Sequence, residues 1–154
     1  MLTSLQAATI EQFGISEDNP VLARWIAGKL FDQAYSKAKR QGRWAKLTGK
    51  GNKLPVLPHQ AWAAHRSMGN TVVPLAKIIG TEGRGDDFDA NFNPLKESDR
   101  DRWIGVAAAR QRGGVLPAVE LLQAEDGYYV RDGHHRISVA KMMGQLEIDA
   151  RIVN

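Results

Sequence analysis

The order of apolar patterns along the chain predicts a compact mixed α/β domain of the α+β kind, with a small mixed sheet, preceded by a basic helical N-terminal extension. Three observations carry this expectation. Helix-period and strand-period stretches follow one another as helix, strand, helix, strands, helix, strand. No repeat or low-complexity tract is present, so solenoids and disordered regulators are not expected. At 154 residues and 43% apolar content, the chain can bury a core without metals or cross-links. The boundary is placed so that 1–58 form the extension and 59–154 the domain.

Each element has its own signal. Residues 1–18 show weak periodicity, and a short helix and a loosely held arm both remain open. Asn19-Pro20 reads as a cap followed by a first helical position, and Leu22, Trp25, Ile26, Leu30 and Ala34 then mark one face of a helix running to about Gln41-Gly42. Leu54-Pro55-Val56-Leu57-Pro58 breaks that helix and reads as a link to the main body, with a short helix expected over 59–68. The β-branched run 71–79 reads as the first strand of the domain, closed by Gly80. The Gly- and Asp-rich segment 81–89 is too polar for either regular element. Ser98, with Asp101 three residues on, resembles a capping box. Trp103, Ile104, Ala107 and Ala108 supply the buried stripe of the helix it opens, and Gly113-Gly114 ends that helix. Strands are expected over 115–122 and 128–131, joined by a hairpin turn at Ala124-Glu125-Asp126-Gly127. Ile148, Ala150 and Ile152 alternate with Glu147, Asp149 and Arg151 in a half-buried final strand.

Composition excludes several chemistries. The chain has no cysteine, so disulfides, thiolate zinc sites and thiol nucleophiles are ruled out. No run approaches the length needed to span a bilayer, no export signal is recognisable, and a cytoplasmic protein with no membrane partner is expected. The isolated His59 and His65 fit no metal-ligand spacing and read as surface or packing residues. Charge is unevenly spread. Residues 21–53 hold nine lysines and arginines against Asp32 alone, a formal +8, while the other 12 basic and 16 acidic residues leave −4 elsewhere. Such asymmetry points to a polyanionic partner. Lys37, Lys39, Arg40, Arg43, Lys46 and Lys50, with Trp25, Tyr35 and Trp44 interleaved, read as a DNA phosphate-backbone surface without base specificity. The alternative is a solvated helical face whose aromatics anchor it to the body.

The most informative stretch is Gly127-Tyr128-Tyr129-Val130-Arg131-Asp132-Gly133-His134-His135-Arg136-Ile137-Ser138-Val139-Ala140. A strand pattern stops at Asp132-Gly133 and a helical pattern begins at once. Gly133 allows backbone angles closed to other residues, and a first helical turn offers N–H groups without internal partners, so an anion would be held there. Arg136 adds a fork suited to phosphate oxygens, and His134 and His135 can donate hydrogen bonds or move protons. The bland alternative is that Asp132 caps the helix, Gly133 makes the turn, and the basic residues are solvated or paired. In the 81–89 loop, Glu82, Asp87 and Asp89 are candidate metal ligands or bases, and Arg84 is a candidate for steadying developing charge. Asp-rich surface turns are the competing explanation.

Val73-Pro74-Leu75-Ala76-Lys77-Ile78, Leu116-Pro117-Ala118-Val119 and the stretch from Tyr129 to Ala140, taken in order, resemble the ParB/sulfiredoxin superfamily over about residues 71–154. Arg84, Asp87-Phe88-Asp89 and Trp103 stand where small ParB-like domain proteins carry similar residues. The resemblance implies a nucleotide site in which Gly133, His134 and Arg136 hold the phosphates of ATP or CTP. His135 would be a proton donor, Asp132 would orient the turn or bind metal, and Glu82, Asp87 and Asp89 would serve as metal ligands or base. Arg84 would assist electrostatically, and Mg²⁺ is the expected ion. The form Asp-Gly-His-His-Arg is most similar to the free-serine kinase branch. Sulfiredoxins carry a cysteine where His134 stands, so sulfinic acid reduction is not expected here. The chain ends at Asn154 without the further domains of a partition clamp, so a complete DNA clamp is not expected either. Small plasmid-borne members with ATPase and nuclease activity fit the basic extension best. The leading expectation is therefore a nucleoside-triphosphate-binding domain that acts on or beside DNA, hydrolysing nucleotide or phosphodiester bonds. The alternatives are a non-enzymatic DNA-binding or adaptor protein and a small-molecule kinase. Oligomeric state is not legible in the sequence.

Overall fold

The computed structural model describes residues 19–58 and 69–153. The expectations for 1–18, for a helix over 59–68, and for His59 and His65 lie outside the described residues. The first element is helix α1, Pro20–Thr48, whose N-cap Asn19 accepts hydrogen bonds on its side chain from the amides of Val21 and Leu22. Sequence reading ends this helix at Gln41-Gly42, yet it continues two turns further. An interior glycine costs only about 1 kcal/mol relative to alanine, and Gly42 keeps helical angles. The helix stops at Gly49, which adopts the left-handed conformation with φ 69°.

The run 71–79 is two strands rather than one. Strand β1, Gly69–Pro74, gives way to a 3₁₀ turn at Leu75–Lys77, and β2, Ile78–Thr81, follows. Helix α2, Arg100–Gln111, comes after a 3₁₀ turn at Glu97–Asp99. β3, Val119–Gln123, and β4, Tyr128–Asp132, form the expected hairpin, then come helix α3, His134–Met142, and β5, Glu147–Ile152. The capping box at Ser98 does not form: Asp99 occupies the cap position of α2 without a capping bond. β3 starts four residues later than the pattern suggested, because the carbonyls of Pro117 and Ala118 are taken by the Arg136 side chain rather than by a ladder.

The sheet has the order β1-β5-β3-β4-β2 and is mixed: β1 with β5 and β3 with β4 are antiparallel, β5 with β3 and β4 with β2 parallel. β1 and β2 are neighbours in the chain but opposite edges of the sheet. The outer strands of a flat five-stranded sheet lie about 19 Å apart, whereas the chain from Pro74 to Ile78 reaches at most about 14 Å. The sheet must therefore curl. Val73, Ile78, Leu121, Val130, Ala150 and Ile152 form the main core together with Ile137 and Ala140 of α3 and with Phe88 and Phe92 of the 81–96 loop.

The segment expected to be a plain connector is built into the fold. Thr81 donates its amide to the Pro55 carbonyl (2.8 Å) and accepts from the Leu57 amide (2.8 Å), so residues 55–57 flank the outer edge of β2. Gly80 permits this approach, since a Cβ there would lie 2.5 Å from the Pro55 oxygen. Leu54 enters the main core. α1 is docked by a second cluster in which Ala23, Ala27 and Phe31 pack on Trp103, Ile104, Ala107 and Ala108 of α2 and Val139 of α3. Phe31 meets Trp103 edge to face at 5.7 Å, and Trp103 Nε1 donates to Ser138 Oγ at 2.8 Å, tying three helices together.

Phe31→Ala should destabilise the fold by about 3–5 kcal/mol, read as a lower urea midpoint. A loss below about 1 kcal/mol would show that α1 is not integral to the folded unit.

Candidate functional site

Gly133 sits at the N-cap of α3 with φ 102°, and no side chain caps the helix. The glycine is required twice over: by its positive φ, and because a Cβ would lie 2.6 Å from Val119 Cγ1 and 3.2 Å from Arg136 Cζ. The space above it is filled by the protein's own side chains. Arg136 donates to the carbonyls of Pro117 (2.6 Å) and Ala118 (2.9 Å) and to Asp132 Oδ2 (2.7 Å). Its fork is thus committed to β3's entry and to the residue four positions earlier, so Arg136 clamps the turn rather than presenting itself to a phosphate. Arg136 also lines a cleft of about 110 Å³ together with Arg110, Pro117, Glu147 and Asp149. That is below the roughly 300–1,000 Å³ typical of small-molecule sites.

His134 and His135 point into the protein and are 4% and 6% exposed. His134 stacks on Phe88 at 5.9 Å, with its Nε2 2.7 Å from Thr81 Oγ1. Thr81 Oγ1 already accepts from the amides of Gly83 (3.2 Å) and Arg84 (3.0 Å), which occupies both lone pairs. Its proton has two acceptors in reach, the Val130 carbonyl at 3.4 Å and His134 Nε2 at 2.7 Å, and the shorter contact assigns it to His134 Nε2, with the neutral ring protonated at Nδ1. Burial, with the Arg84 and His135 charges acting the same way, lowers the pKa of this ring to about 4. His134 is an acceptor that fastens the 81–84 turn to α3.

His135 differs. Its ring meets Phe88 edge-on at 5.4 Å, and its Nε2 lies 3.6 Å from Asp99 Oδ1, too far for a hydrogen bond. Both His135 Nε2 and Asp99 Oδ2 are buried without a partner. Burial lowers the His135 pKa; Asp99 opposes this, and Arg102 and Arg84 reinforce it. The uncapped start of α3 and the nearby Arg84 and Arg102 guanidiniums add positive potential at this corner, which the Asp99 carboxylate, itself an acceptor without a donor, opposes.

The candidate acids are distributed rather than convergent. Glu82 takes Arg131 in a two-point contact at 2.9 and 3.2 Å. Asp87 binds Lys96 at 2.5 Å and lies 3.6 Å from Arg84. Asp89 is fully buried and accepts from the amides of Asn91 and Asn93 and from the Asn93 side chain, so it holds its own loop. Asp132 is paired with Arg136. Among the described residues no group of three or more His, Asp or Glu side chains converges to hold a metal ion. A Mg²⁺ bound through Asp87, Asp89 or Asp132 would have to displace these partners. Sequence reading missed Thr81 and Asp99 as members of the corner, because their partners are 53 and 36 positions away and nothing local marks them.

The basic residues of α1 form a separate surface. Lys37, Lys39, Arg40, Arg43 and Lys46 are exposed on the helix and Lys50 just beyond it. Among the described residues no carboxylate pairs with them. Asp32, the only acid of α1, is bound by Arg100 at 2.5 Å. Lys39 lies over the Tyr35 ring at 4.3 Å and Lys29 over Trp25 at 5.6 Å.

The His134 pKa makes stability pH-dependent. An unfolded histidine titrates near 6.5 and the folded one at about 4. Between those values the unfolded chain takes the proton and the folded protein does not, so the full contribution is present above pH 6.5 and is lost as pH falls toward 4. The expected loss is about 3 kcal/mol, measured by urea unfolding across the window. His134→Gln lacks the titrating ring and should show a shallower profile; parallel profiles for the two proteins would refute the assignment.

No family model, curated protein or solved structure matches the chain, and the functional reading rests on the geometry of these two surfaces.

Proposed function

We propose that the protein binds nucleic acid through the solvent face of α1, contacting the phosphate backbone without reading bases. The observation that supports this is the one-sidedness of the helix. Its apolar stripe is packed against α2, its one acid is neutralised by Arg100, and its exposed lysines and arginines have no carboxylate partner among the described residues. Cations so placed release counterions from a polyanion when they bind it, and that release supplies affinity without sequence preference.

Affinity for unrelated DNA duplexes should be similar and should fall steeply with salt. Replacing Lys37, Lys39, Arg40 and Arg43 together by alanine should make the slope of log K against log salt shallower by about 3 to 4, with the helical circular dichroism unchanged. A variant that keeps wild-type affinity and slope would overturn the reading.

A second reading is supported by a different observation, the buried and unpartnered His135 Nε2 beside the uncapped α3. It is that of a phosphate-bearing ligand, ATP or CTP with Mg²⁺, entering from the side of Arg84 and Arg102. On this reading His135 donates to a phosphate oxygen or passes a proton to a leaving group in nucleotide or phosphodiester hydrolysis. Arg136 acts only as the clamp beneath it. Calorimetry with ATP and with CTP, each with Mg²⁺, should show binding that His135→Asn abolishes while duplex binding is untouched. Silence at millimolar nucleotide would remove this reading and leave the first standing.

A further inference from the structure

The face of α1 that carries its cations also carries the most exposed aromatic side chain of the described residues. Trp44 is 68% exposed and Leu47 beside it 81%, at a point where Arg40, Arg43, Trp44 and Leu47 follow one another at i, i+3, i+4 and i+7. Among the described residues no ring or cation lies over Trp44, whereas Tyr35 and Trp25 are each covered by a lysine. Resting on the nucleic-acid reading above, we infer that this stripe is a stacking platform for single-stranded nucleic acid. In this arrangement Trp44 receives an unpaired base while Lys37, Arg40 and Arg43, on the same side of the helix, contact the backbone.

Three arguments select that occupant. A duplex hides the faces of its bases, so backbone contact with a duplex gives an exposed indole nothing to cover; an unpaired base offers a π-face of matching size. Charge complementarity excludes an acceptor protein surface that is merely apolar, because the indole is ringed by cations with no acid of α1 left unpaired. A membrane-surface helix needs an apolar face set apart from its basic one. In α1 that apolar face is already buried against α2, and Trp44 lies among arginines instead.

The test uses the full chain and three probes: fluorescent oligo-dT, a random-sequence duplex of the same length, and vesicles containing anionic lipid. Oligo-dT should bind more tightly than the duplex and quench indole fluorescence. Trp44→Ala should weaken oligo-dT binding about 5- to 150-fold, Trp44→Phe should restore most of it, and duplex affinity should stay within about twofold. The inference is overturned if Trp44→Ala leaves oligo-dT affinity unchanged or weakens oligo-dT and duplex equally. It is also overturned if the duplex binds more tightly than oligo-dT, or if Trp44-dependent binding is found only with vesicles. Loss of binding to both nucleic acids in the wild-type protein would instead strike the nucleic-acid reading itself.

Discussion

The rotation of α1 about its own axis is set by one contact, and the placement of both candidate surfaces depends on it. Phe31 presents its ring to the face of Trp103, and the indole N–H of Trp103 reaches Ser138 on α3. A helix anchored by one large aromatic among small residues has little freedom to turn. Ala23, Ala27, Ala34 and Ala38 let α1 lie close to its neighbours, and Phe31 selects the register. Once that face is fixed inward, Arg40, Arg43 and Trp44 have nowhere to go but solvent. The same indole holds α3 by its first turns, so the position of His135 against Asp99 is inherited from the packing of α1 and α2.

Charge is managed by pairing acids away from the cations that stay exposed. Glu82 is held by Arg131, Asp87 by Lys96, Asp132 by Arg136 and Asp32 by Arg100. Most of these pairs lie near the surface and contribute little stability each. Their consequence is electrostatic: carboxylates that would otherwise dilute a positive field are neutralised locally, and the unpaired cations are concentrated along one helix. A modest formal charge of +4 thus understates the field that a polyanion would meet.

Much of the fold was legible because it rests on periodicity. The stripe of Trp103 and Ala107 and the alternation of Ile148, Ala150 and Ile152 follow from 3.6- or 2-residue spacing, whereas the face expected for α1 was turned. Of Leu22, Trp25, Ile26, Leu30 and Ala34 only Ile26 and Ala34 are buried, and Trp25 is exposed. The small Ala23, Ala27 and Ala38 with Phe31 complete the inward face because they let the helices approach closely. The split of 71–79 into the two opposite edges of one sheet was not legible, since a period-2 run looks the same whether or not the chain turns within it. At the α3 corner the Asp-Gly turn and its left-handed glycine could be read directly. The commitments of its side chains could not. Arg136 is satisfied by the backbone carbonyls of Pro117 and Ala118, and carbonyls have no sequence signature; His134 is satisfied by Thr81, whose hydroxyl is one of many in the chain. A pattern rich in phosphate-binding side chains was therefore partly a pattern for holding a tight turn.

The two anion-facing features work in different media, and that separates them physically. On α1 the cations sit in water, where interactions beyond a Debye length of about 8 Å at physiological salt are screened. The His135 ring is buried edge-on to Phe88, where the hydrogen bond left unmade at its Nε2 costs a desolvation penalty that added salt changes little. A polyanion meeting the α1 cations would be gathered from a distance and released by salt, whereas an anion meeting the α3 corner would be recognised only at contact. Arg84, on the loop beside this corner, is 44% exposed and lies 3.6 Å from Asp87. The turn that carries Arg84 is fastened from below by Thr81 and His134, so its position is fixed by the fold before any polyanion arrives.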